Sequence, residues 1–375
     1  MGRLYVFGHN GFGQLRPDRS DNFLVHPVEL EATEPDDGGD AVVTMVTASW
    51  SSAAIFAANL TFAGKTIIMT QGFLNAESHQ FRKFETAAVR SSVWTADSLV
   101  VVREGGECVQ VDPCTGRQLG RWNGPDGAKF TDVVCGESTI LALTDTGDVT
   151  MLGDVQSINP TPLPVHVGEN VKAVCCGKEH SLALTVSGRV FSWGNGSRGQ
   201  LGHGTTEACN TPQVIEALEG VTMVTIAAGG WHSVSVSACG DLYVWGWNEA
   251  GQLGLPTSKH KTGPSDGCTT CTDKEPISDM AQQGDNVAEV LVQATPTIVD
   301  LPTGQEVSKV SCGSRHTAAL TKEGQLLTWG WGAYGQLGSG QTERCEVPCT
   351  VEFFKQRRVT DVWCGPWNIF VQVDK

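Results

Sequence analysis

Short runs of alternating apolar and polar residues recur along the chain, and glycine turns separate them. One example is Ser181-Leu182-Ala183-Leu184, followed by the turn Ser187-Gly188 and a second run, Val190-Phe191-Ser192-Trp193. Two short runs around a glycine turn are typical of a β-hairpin. Because a single hairpin cannot bury its faces in water, the pattern predicts several hairpins packed together.

The hairpin belongs to a unit that repeats along the chain. In four copies one glycine precedes another by 17 residues, and these pairs are Gly136 and Gly153, Gly177 and Gly194, Gly229 and Gly246, and Gly313 and Gly330. The units are spaced ~40–50 residues apart, close to the length of one four-stranded propeller blade. Radial packing of such units protects their strand edges, so the spacing predicts an all-β propeller.

The two ends of the chain carry complementary halves of the unit. Residues 3–15 match the second half, and residues 362–371 match the first half. We expect the first strand to pair with the last, which would close the ring and remove its exposed edges. Two degenerate units raise the count to seven: one is aligned with Ala48 at the glycine position, and the other spans Ser91–Thr95.

One interval between units is longer than the others. Gly246 and Gly330 are 84 residues apart, against 52 for Gly194 and Gly246, so about 32 residues are inserted. The insert, at about 256–289, is rich in Ser, Thr, Asp, Gly and Pro, which predicts a mobile loop. Residues 1–375 are therefore predicted to form a single propeller with one flexible insert.

Three copies of the unit match strongly to a longer pattern, Cys-Gly-x-x-His-[Ser/Thr]-x-Ala-Leu followed by Trp-Gly-x-Gly-x-x-Gly-Gln-Leu-Gly. These copies are Val174–Gly204, Ile226–Gly254 and Val310–Gly340. The pattern resembles the regulator of chromosome condensation (RCC) repeat family. The resemblance implies a seven-bladed β-propeller.

Charge and cysteine content limit the class of partner and the compartment. Lysine and arginine total 26 against 41 aspartates and glutamates, a net charge of −15 without any basic run. Bulk binding to nucleic acid is therefore not expected. The chain has 13 cysteines, no apolar signal region and no run near the ~18 apolar residues of a membrane span, which favours a reduced compartment, cytosol or nucleus, and no membrane.

Two motifs resemble ligand sites but are better explained as loops. Residues 194–199 and 330–335 spell Gly-x-Gly-x-x-Gly, yet the dinucleotide motif needs a following helix, and here Gln-Leu-Gly follows. Cys268 and Cys271 form a lone Cys-x-x-Cys motif, and His260 is the only histidine close to it in the sequence, whereas a structural zinc site requires four ligands. No cofactor, metal or converging catalytic set is expected, and the chain is predicted not to be an enzyme.

Histidine recurs at one position of the unit, three residues after a glycine. These repeat residues are His180, His232 and His316, with Gly177, Gly229 and Gly313. We interpret each imidazole as a structural hydrogen-bonding group that tethers its hairpin, a role also available to Ser51, Thr95, Thr139 and Asn368.

The position just before the histidine varies more. Across the seven units it is aligned as Trp50, Trp94, Ser138, Glu179, Trp231, Arg315 and Trp367. Tryptophan and arginine are residue types that anchor interfaces, so Trp50, Trp94, Glu179, Trp231, Arg315 and Trp367 are the predicted partner-binding residues. The alternative is that the indoles cap the core beneath loops.

The resemblance also implies a function. Few residues lie outside the repeats, so the chain resembles a free-standing, chromatin-associated member that partners a Jumonji-type oxygenase acting on histones and arginines. That likeness implies a monomeric scaffold in the nucleus that associates with chromosomes indirectly, through its partner. An additional location in the cytoplasm is compatible with the same likeness. Its implied roles are in histone methylation, centromeric repression and mitosis.

Two further functions occur in the family. One is guanine-nucleotide exchange on a Ran-like GTPase, and the large insert is its only sequence support. The other is a tryptophan-array photoreceptor, a class marked by a Gly-Trp-Arg-His motif that is repeated on one face. This chain has only Gly-Gly-Trp-His and Gly-Ser-Arg-His, once each.

Overall fold

The computed structural model describes most of the chain. The described residues are 3–16, 18–30, 41–49, 51–59, 65–74, 77–95, 97–154, 162–255 and 291–374. The predicted insert, with Cys268 and Cys271, lies outside them. In this part of the chain no helix is long and apolar enough to cross a membrane.

The described residues form seven four-stranded antiparallel sheets, which we call blades 1 to 7. Blade 1 contains β1 (Arg3–His9), β2 (Phe23–Leu30), β27 (Val359–Cys364) and β28 (Asn368–Val373). Blade 2 contains β3 (Ala41–Ala48), β4 (Ser52–Asn59), β5 (Lys65–Leu74) and β6 (Glu77–Ala87). Blade 3 contains β7 (Val89–Trp94), β8 (Leu99–Arg103), β9 (Cys108–Val111) and β10 (Gln118–Trp122). Blade 4 contains β11 (Phe130–Cys135), β12 (Thr139–Thr144), β13 (Val149–Asp154) and β14 (Leu163–Val165). Blade 5 contains β15 (Val171–Cys176), β16 (His180–Thr185), β17 (Val190–Gly194) and β18 (Cys209–Val214). Blade 6 contains β19 (Met223–Ala228), β20 (His232–Ser237), β21 (Leu242–Trp247) and β22 (Val292–Ile298). Blade 7 contains β23 (Val307–Cys312), β24 (His316–Thr321), β25 (Leu326–Gly330) and β26 (Cys345–Thr350).

The seven innermost strands form a closed ring. Each of β3, β7, β11, β15, β19, β23 and β27 contacts the innermost strand of the next blade, and β27 returns to β3. In blade 1 the first strand pairs with the last, from Arg3 opposite Val373 to Gly8 opposite Asn368. The predicted seven-bladed propeller and its closure through the two ends of the chain are confirmed.

Hydrophobic cores lie at the junctions between adjacent blades. Seven clusters of buried residues each combine apolar side chains from two neighbouring blades. Trp245 and Trp329, both 0% exposed, are the largest fully buried side chains in the described residues. Every blade therefore depends on both neighbours to bury its two faces.

Gln-Leu-Gly loops tie some of these junctions together. Between blades 5 and 6, the carbonyl of Gln200 accepts hydrogen bonds from the Ser233 hydroxyl at 2.8 Å and the Trp245 indole N–H at 2.9 Å. The next residue, Leu201, is 1% exposed. The loop after β17 therefore fills the end of the junction and connects two blades by polar and apolar contacts.

A similar arrangement recurs at two other junctions, in one of which Gln14-Leu15-Arg16 stands in place of a Gln-Leu-Gly sequence. Between blades 6 and 7, the Gln252 carbonyl accepts from the Thr317 hydroxyl at 2.8 Å and the Trp329 indole N–H at 2.9 Å. Between blades 1 and 2, the Gln14 carbonyl accepts from the side-chain amide of Gln71 at 2.9 Å. A short polar contact in an otherwise apolar junction specifies one docking geometry for the two blades.

The register of blade 2 corrects the alignment of its degenerate unit. The amide of Ser49 donates to the carbonyl of Ser52 at 2.8 Å, as the unit glycine does to the unit histidine in blades 5, 6 and 7. Ser49, and not Ala48, therefore holds the glycine position. Ser52, and not Ser51, holds the histidine position. Trp50 lies outside the described residues.

Blade 3 requires a larger correction. The amide of Thr95 donates to the carbonyl of Ser98 at 2.9 Å, so these residues hold the glycine and histidine positions. Trp94 is the last residue of β7, opposite Leu99, and is 8% exposed. Its indole N–H donates to the Thr47 carbonyl at 3.1 Å. Trp94 therefore packs in the core between blades 2 and 3. It precedes the glycine position and not the histidine position, so its alignment with Trp231 and Arg315 is wrong.

Candidate functional site: an aromatic and cationic surface

The loops that carry the predicted site meet at one end of the ring. In an antiparallel four-stranded blade, the connection from the first to the second strand and that from the third to the fourth emerge on the same side. Backbone hydrogen bonds link the first set of loops from blade to blade: Lys178 donates to Gly230 at 3.0 Å, Gly230 to Ser314 at 3.2 Å, and Ser314 to Pro366 at 3.0 Å. Side chains from blades 5, 6 and 7 are thereby held side by side.

Arg198 lies between two indoles on this face. Its guanidinium carbon is 4.6 Å from the ring centroid of Trp231 and 4.5 Å from that of Trp247. The two indoles meet edge to face, with their centroids 5.4 Å apart at 90°. Guanidinium groups stack favourably on indole faces, so each ring orients the cation and the cation orients both rings.

Arg315 continues the row into blade 7. Its guanidinium carbon is 4.8 Å from the Trp247 ring centroid and 5.3 Å from that of Trp331. One of its nitrogens lies 3.6 Å from a carboxylate oxygen of Glu249. Cations and indoles thus alternate across three blades.

At its other end the row reaches blade 5. The Trp231 indole N–H donates to the Glu179 carboxylate at 3.1 Å, and the Lys178 ammonium lies 4.8 Å from the Trp231 ring centroid. We call the whole set the aromatic–cation surface; its members are Lys178, Glu179, Arg198, Trp231, Trp247, Glu249, Arg315 and Trp331. It carries three cations and two carboxylates on a chain whose net charge is −15.

The indoles of this surface do not belong to the cores. Trp231, Trp247 and Trp331 are half-buried, and none of them is a member of the seven junction clusters, which instead contain Trp245 and Trp329. No ion pair is found for Arg198 with any described residue. Half-buried rings and an unpaired guanidinium fit a surface that contacts something else better than they fit a cap over the core.

The structure brings together only some of the residues predicted for this surface. Glu179, Trp231 and Arg315 lie within it, whereas Trp94 is in a core. Trp367 belongs to a separate aromatic cluster, 5.6 Å from the ring of Tyr334 at 88°. That tyrosine also stacks on Phe23. In blade 3 the residue before the histidine position is the exposed Asp97, and in blade 4 it is the exposed Ser138.

Three residues of the surface, Arg198, Trp247 and Trp331, are not among those that the sequence singles out. A signal for two of them is present in the sequence, since Trp247 and Trp331 each directly follow the Trp-Gly sequence of the third strand. Arg198 precedes a Gln-Leu-Gly sequence, where blades 6 and 7 have Ala250 and Tyr334. Nothing local distinguishes that arginine, because its stacking partner Trp231 comes from the next blade.

Two of the repeat histidines, His180 and His232, bond through their rings to the neighbouring blade and not within their own hairpins. His180 Nε2 lies 2.8 Å from the Ser233 hydroxyl, and His232 Nε2 lies 2.9 Å from the Thr317 hydroxyl. The equivalent residue facing His316 is Ile369, which has no hydroxyl. Burial lowers the pKa of His180 to about 4 and those of His232 and His316 to about 3. These imidazoles are therefore neutral at pH 7.

The glycines before these histidines are required by close packing. A Cβ on Gly177 would lie 2.2 Å from the His180 ring, one on Gly229 2.1 Å from the His232 ring, and one on Gly313 1.9 Å from the His316 ring. All three distances are far below van der Waals contact, so no side chain fits at these positions.

The chemistry of the described residues gives no sign of a metal centre. No three His, Cys, Asp or Glu side chains within them converge to hold an ion. The thiols at the ends of the innermost strands are poor ligands at neutral pH, because burial raises the pKa of Cys176 and Cys364 to about 12.

Seven blades closed through the two ends of the chain, with Gln-Leu-Gly loops between them, define a class of repeat propellers. A model of the RCC1-like domain family matches residues 1–371, and the chain belongs to that family. The RCC1 domain-containing protein 1 of Mus musculus is 36% identical over 390 residues, which cover 99% of this chain and 96% of that protein. The protein of the same name from Homo sapiens is 48% identical over 206 residues, 52% of this chain and 54% of its own length.

A solved structure shares the fold. The crystal structure of Prp20p from Saccharomyces cerevisiae superposes with a TM-score of 0.75 at 19% identity and covers 100% of this chain and 92% of that one. At this identity the likeness extends to the propeller architecture alone.

Proposed function

We propose that the chain is a non-enzymatic scaffold that binds a protein partner through the aromatic–cation surface. The observation that carries the proposal is Arg198, which is stacked between Trp231 and Trp247 without a carboxylate partner among the described residues. Its guanidinium edge is oriented by the two rings, which lowers the entropic cost of forming a bidentate contact with a carboxylate. Flanking indoles supply apolar area of the kind found in interface hot spots.

The partner we propose is a Jumonji-type histone demethylase or arginyl hydroxylase. Support for this partner comes from the family and from the relatives named RCC1 domain-containing protein 1. The chain would deliver or position that enzyme, with roles in control of histone methylation, centromeric repression and mitotic chromosome segregation. Its location would be nuclear and chromosome-associated, and contact with chromatin would be made through the enzyme.

The experiment measures binding of the purified chain to a purified Jumonji-type histone demethylase by isothermal titration calorimetry. We expect saturable binding that the double variant Trp231→Ala with Arg315→Glu weakens about thirtyfold, since truncating a hot spot typically costs ~2 kcal/mol or more. A matched control is Val186→Glu, at the turn between β16 and β17 on the opposite end of the ring, where Val186 is 68% exposed.

Two results would count against the proposal. Absence of binding to the demethylase would exclude the proposed partner. If the double variant bound the demethylase as tightly as the parent chain, the aromatic–cation surface would not be the binding site. A parallel measurement of nucleotide release from a Ran-like GTPase tests the exchange function that occurs in the family. Accelerated release by the same chain would favour that alternative.

A further inference from the structure

The connection between the third and fourth strands of blade 4 lacks the sequence that fills the junction between blades 5 and 6. The connection from β13 to β14 spans residues 155–162 and contains no Gln-Leu-Gly sequence, whereas the connection from β17 to β18 spans residues 195–208 and contains one. In two of the Gln-Leu-Gly sequences, the glutamine carbonyl, of Gln200 or Gln252, accepts from donors of the next blade, and the leucine that follows is buried.

Blade 5 nevertheless keeps the donors that such a loop would engage. Ser181 pairs with Trp193, just as Ser233 pairs with Trp245 in blade 6. The Ser181 hydroxyl lies 3.5 Å from the Cys176 thiol, and no acceptor for the Trp193 indole N–H is found among the described residues. Trp193 is half-buried, in contrast to the fully buried Trp245.

A cavity of about 760 Å³ occupies this place. Its apolar lining includes Leu141, Met151 and Trp193, and Ser181 opens into it. The volume falls within the range of ligand pockets in proteins, about 300–1,000 Å³. The lining combines an apolar surface for a leucine side chain with two donors for a backbone carbonyl.

The rim of the cavity carries Glu137, Lys178 and Glu179, all exposed. The Lys178 ammonium lies 3.3 Å from the Glu137 carboxylate, which leaves the rim with one excess negative charge. The rim therefore favours a neutral or basic segment over an acidic one.

We propose that this cavity binds an extended segment of a partner protein in which a leucine directly follows the peptide carbonyl that accepts from Ser181 and Trp193. The segment would occupy the junction in trans as Gln200 and Leu201 occupy the next junction within the chain. This inference rests on the proposed function, protein binding by the propeller. Its site adjoins the aromatic–cation surface, with which it shares Lys178 and Glu179, but it does not include Arg198 or Arg315.

The probe is the synthetic octapeptide Ser-Arg-Gly-Gln-Leu-Gly-His-Gly, the sequence of residues 197–204. It is titrated into the full chain labelled with ¹⁵N at the tryptophan indoles, and the Trp193 resonance is assigned with Trp193→Phe. We expect a saturable shift of the Trp193 indole signal, with a dissociation constant on the order of 1 mM for so short and flexible a ligand. A peptide with aspartate in place of its leucine should not bind.

Two variants and one control separate this site from other binding. Trp193→Phe should weaken the peptide about tenfold, as measured by calorimetry, because the carbonyl then loses a hydrogen bond. Replacement of residues 155–162 by the sequence of residues 195–208 should abolish peptide binding, because the grafted loop fills the cavity. The cavity shares Lys178 and Glu179 with the aromatic–cation surface, and Trp231 contacts both, so the control is Arg315→Glu alone, in blade 7. It should leave the peptide affinity unchanged, which makes a failure of the aromatic–cation surface distinguishable from a failure of the cavity.

Several outcomes would overturn the inference. One is a Trp193 indole signal that does not move at several millimolar peptide, and another is equal affinity of Trp193→Phe. Slow hydrogen exchange of the Trp193 indole N–H in the peptide-free chain would mean that the protein's own residues fill the cavity.

Discussion

The indole N–H of Trp245, on the third strand of blade 6, donates to the backbone carbonyl of Gln200 in blade 5 at 2.9 Å. Both groups are buried, and the bond spans the junction between the two blades. A propeller whose blades each bury apolar faces against two neighbours gains rigidity from such contacts, because they specify the angle at which the blades meet.

We expect Trp245→Phe to lower the free energy of unfolding by about 1–2 kcal/mol, since the Gln200 carbonyl loses one of its two donors in a buried site. The matched control is Trp193→Phe, at the equivalent strand position of blade 5, where no described carbonyl accepts from the indole; its effect should be close to zero. Urea unfolding followed by circular dichroism measures both. Equal effects of the two substitutions would contradict a specific role for the inter-blade bond.

Closure of the ring predicts a global effect of a terminal deletion. Removing residues 1–8 deletes most of β1, which lies between β28 and β2, together with Phe7, which is 0% exposed. The loss opens a strand edge and uncovers the core between blades 7 and 1, so the melting temperature of the whole propeller should fall. A soluble deletion variant that melts cooperatively at the temperature of the parent chain would show that closure contributes little.

The long connection in blade 6 should be dispensable for folding. Trp247 and Val292 face each other at the ends of β21 and β22, so the strands are paired without help from residues 256–289. Replacing those residues by a short Gly-Ser linker should leave the melting temperature nearly unchanged, because closure entropy depends only weakly on loop length. Insolubility, or loss of the far-ultraviolet signal, would mean that the insert packs as part of a blade.

The aromatic–cation surface and the cores should respond differently to truncation. Trp231→Ala with Arg315→Glu removes side chains that lie outside the junction clusters, so we expect a change in unfolding free energy of about 1 kcal/mol or less. Trp245→Ala creates a cavity in a core and should cost about 3–5 kcal/mol. Denaturant titrations compare the two, and a loss of similar size for both would mean that Trp231 is a structural cap.

The buried histidines predict a loss of stability in mild acid. Because their folded pKa values lie below the unfolded value near 6.5, the unfolded chain binds more protons as the pH falls, and stability decreases from about pH 6.5 toward pH 4. At pH 5 each such histidine should contribute a loss of about 2 kcal/mol relative to pH 7. His316→Asn, which copies Asn368 at the same position of blade 1, should reduce that loss by one histidine's share when unfolding is measured at both pH values. An unchanged difference would contradict the assignment.

The repeat by itself determined the architecture. Its hairpin pattern, its fixed glycine spacing and the complementary half-units at the two ends predict the strands, the seven blades and the closing pair β1 and β28, because these follow from local periodicity and from the need to cover every blade on both faces.

Only the tertiary structure decided which side chains meet. Trp94 was misplaced because strand register depends on the hydrogen-bond ladder, and that unit lacks the glycine and histidine that anchor an alignment. Arg198 and Trp231 are 33 residues apart and in different blades, so their stacking depends on how the blades dock and leaves no local pattern. The cavity beside Trp193 likewise depends on how blades 4 and 5 dock, because its lining comes from strands of both blades.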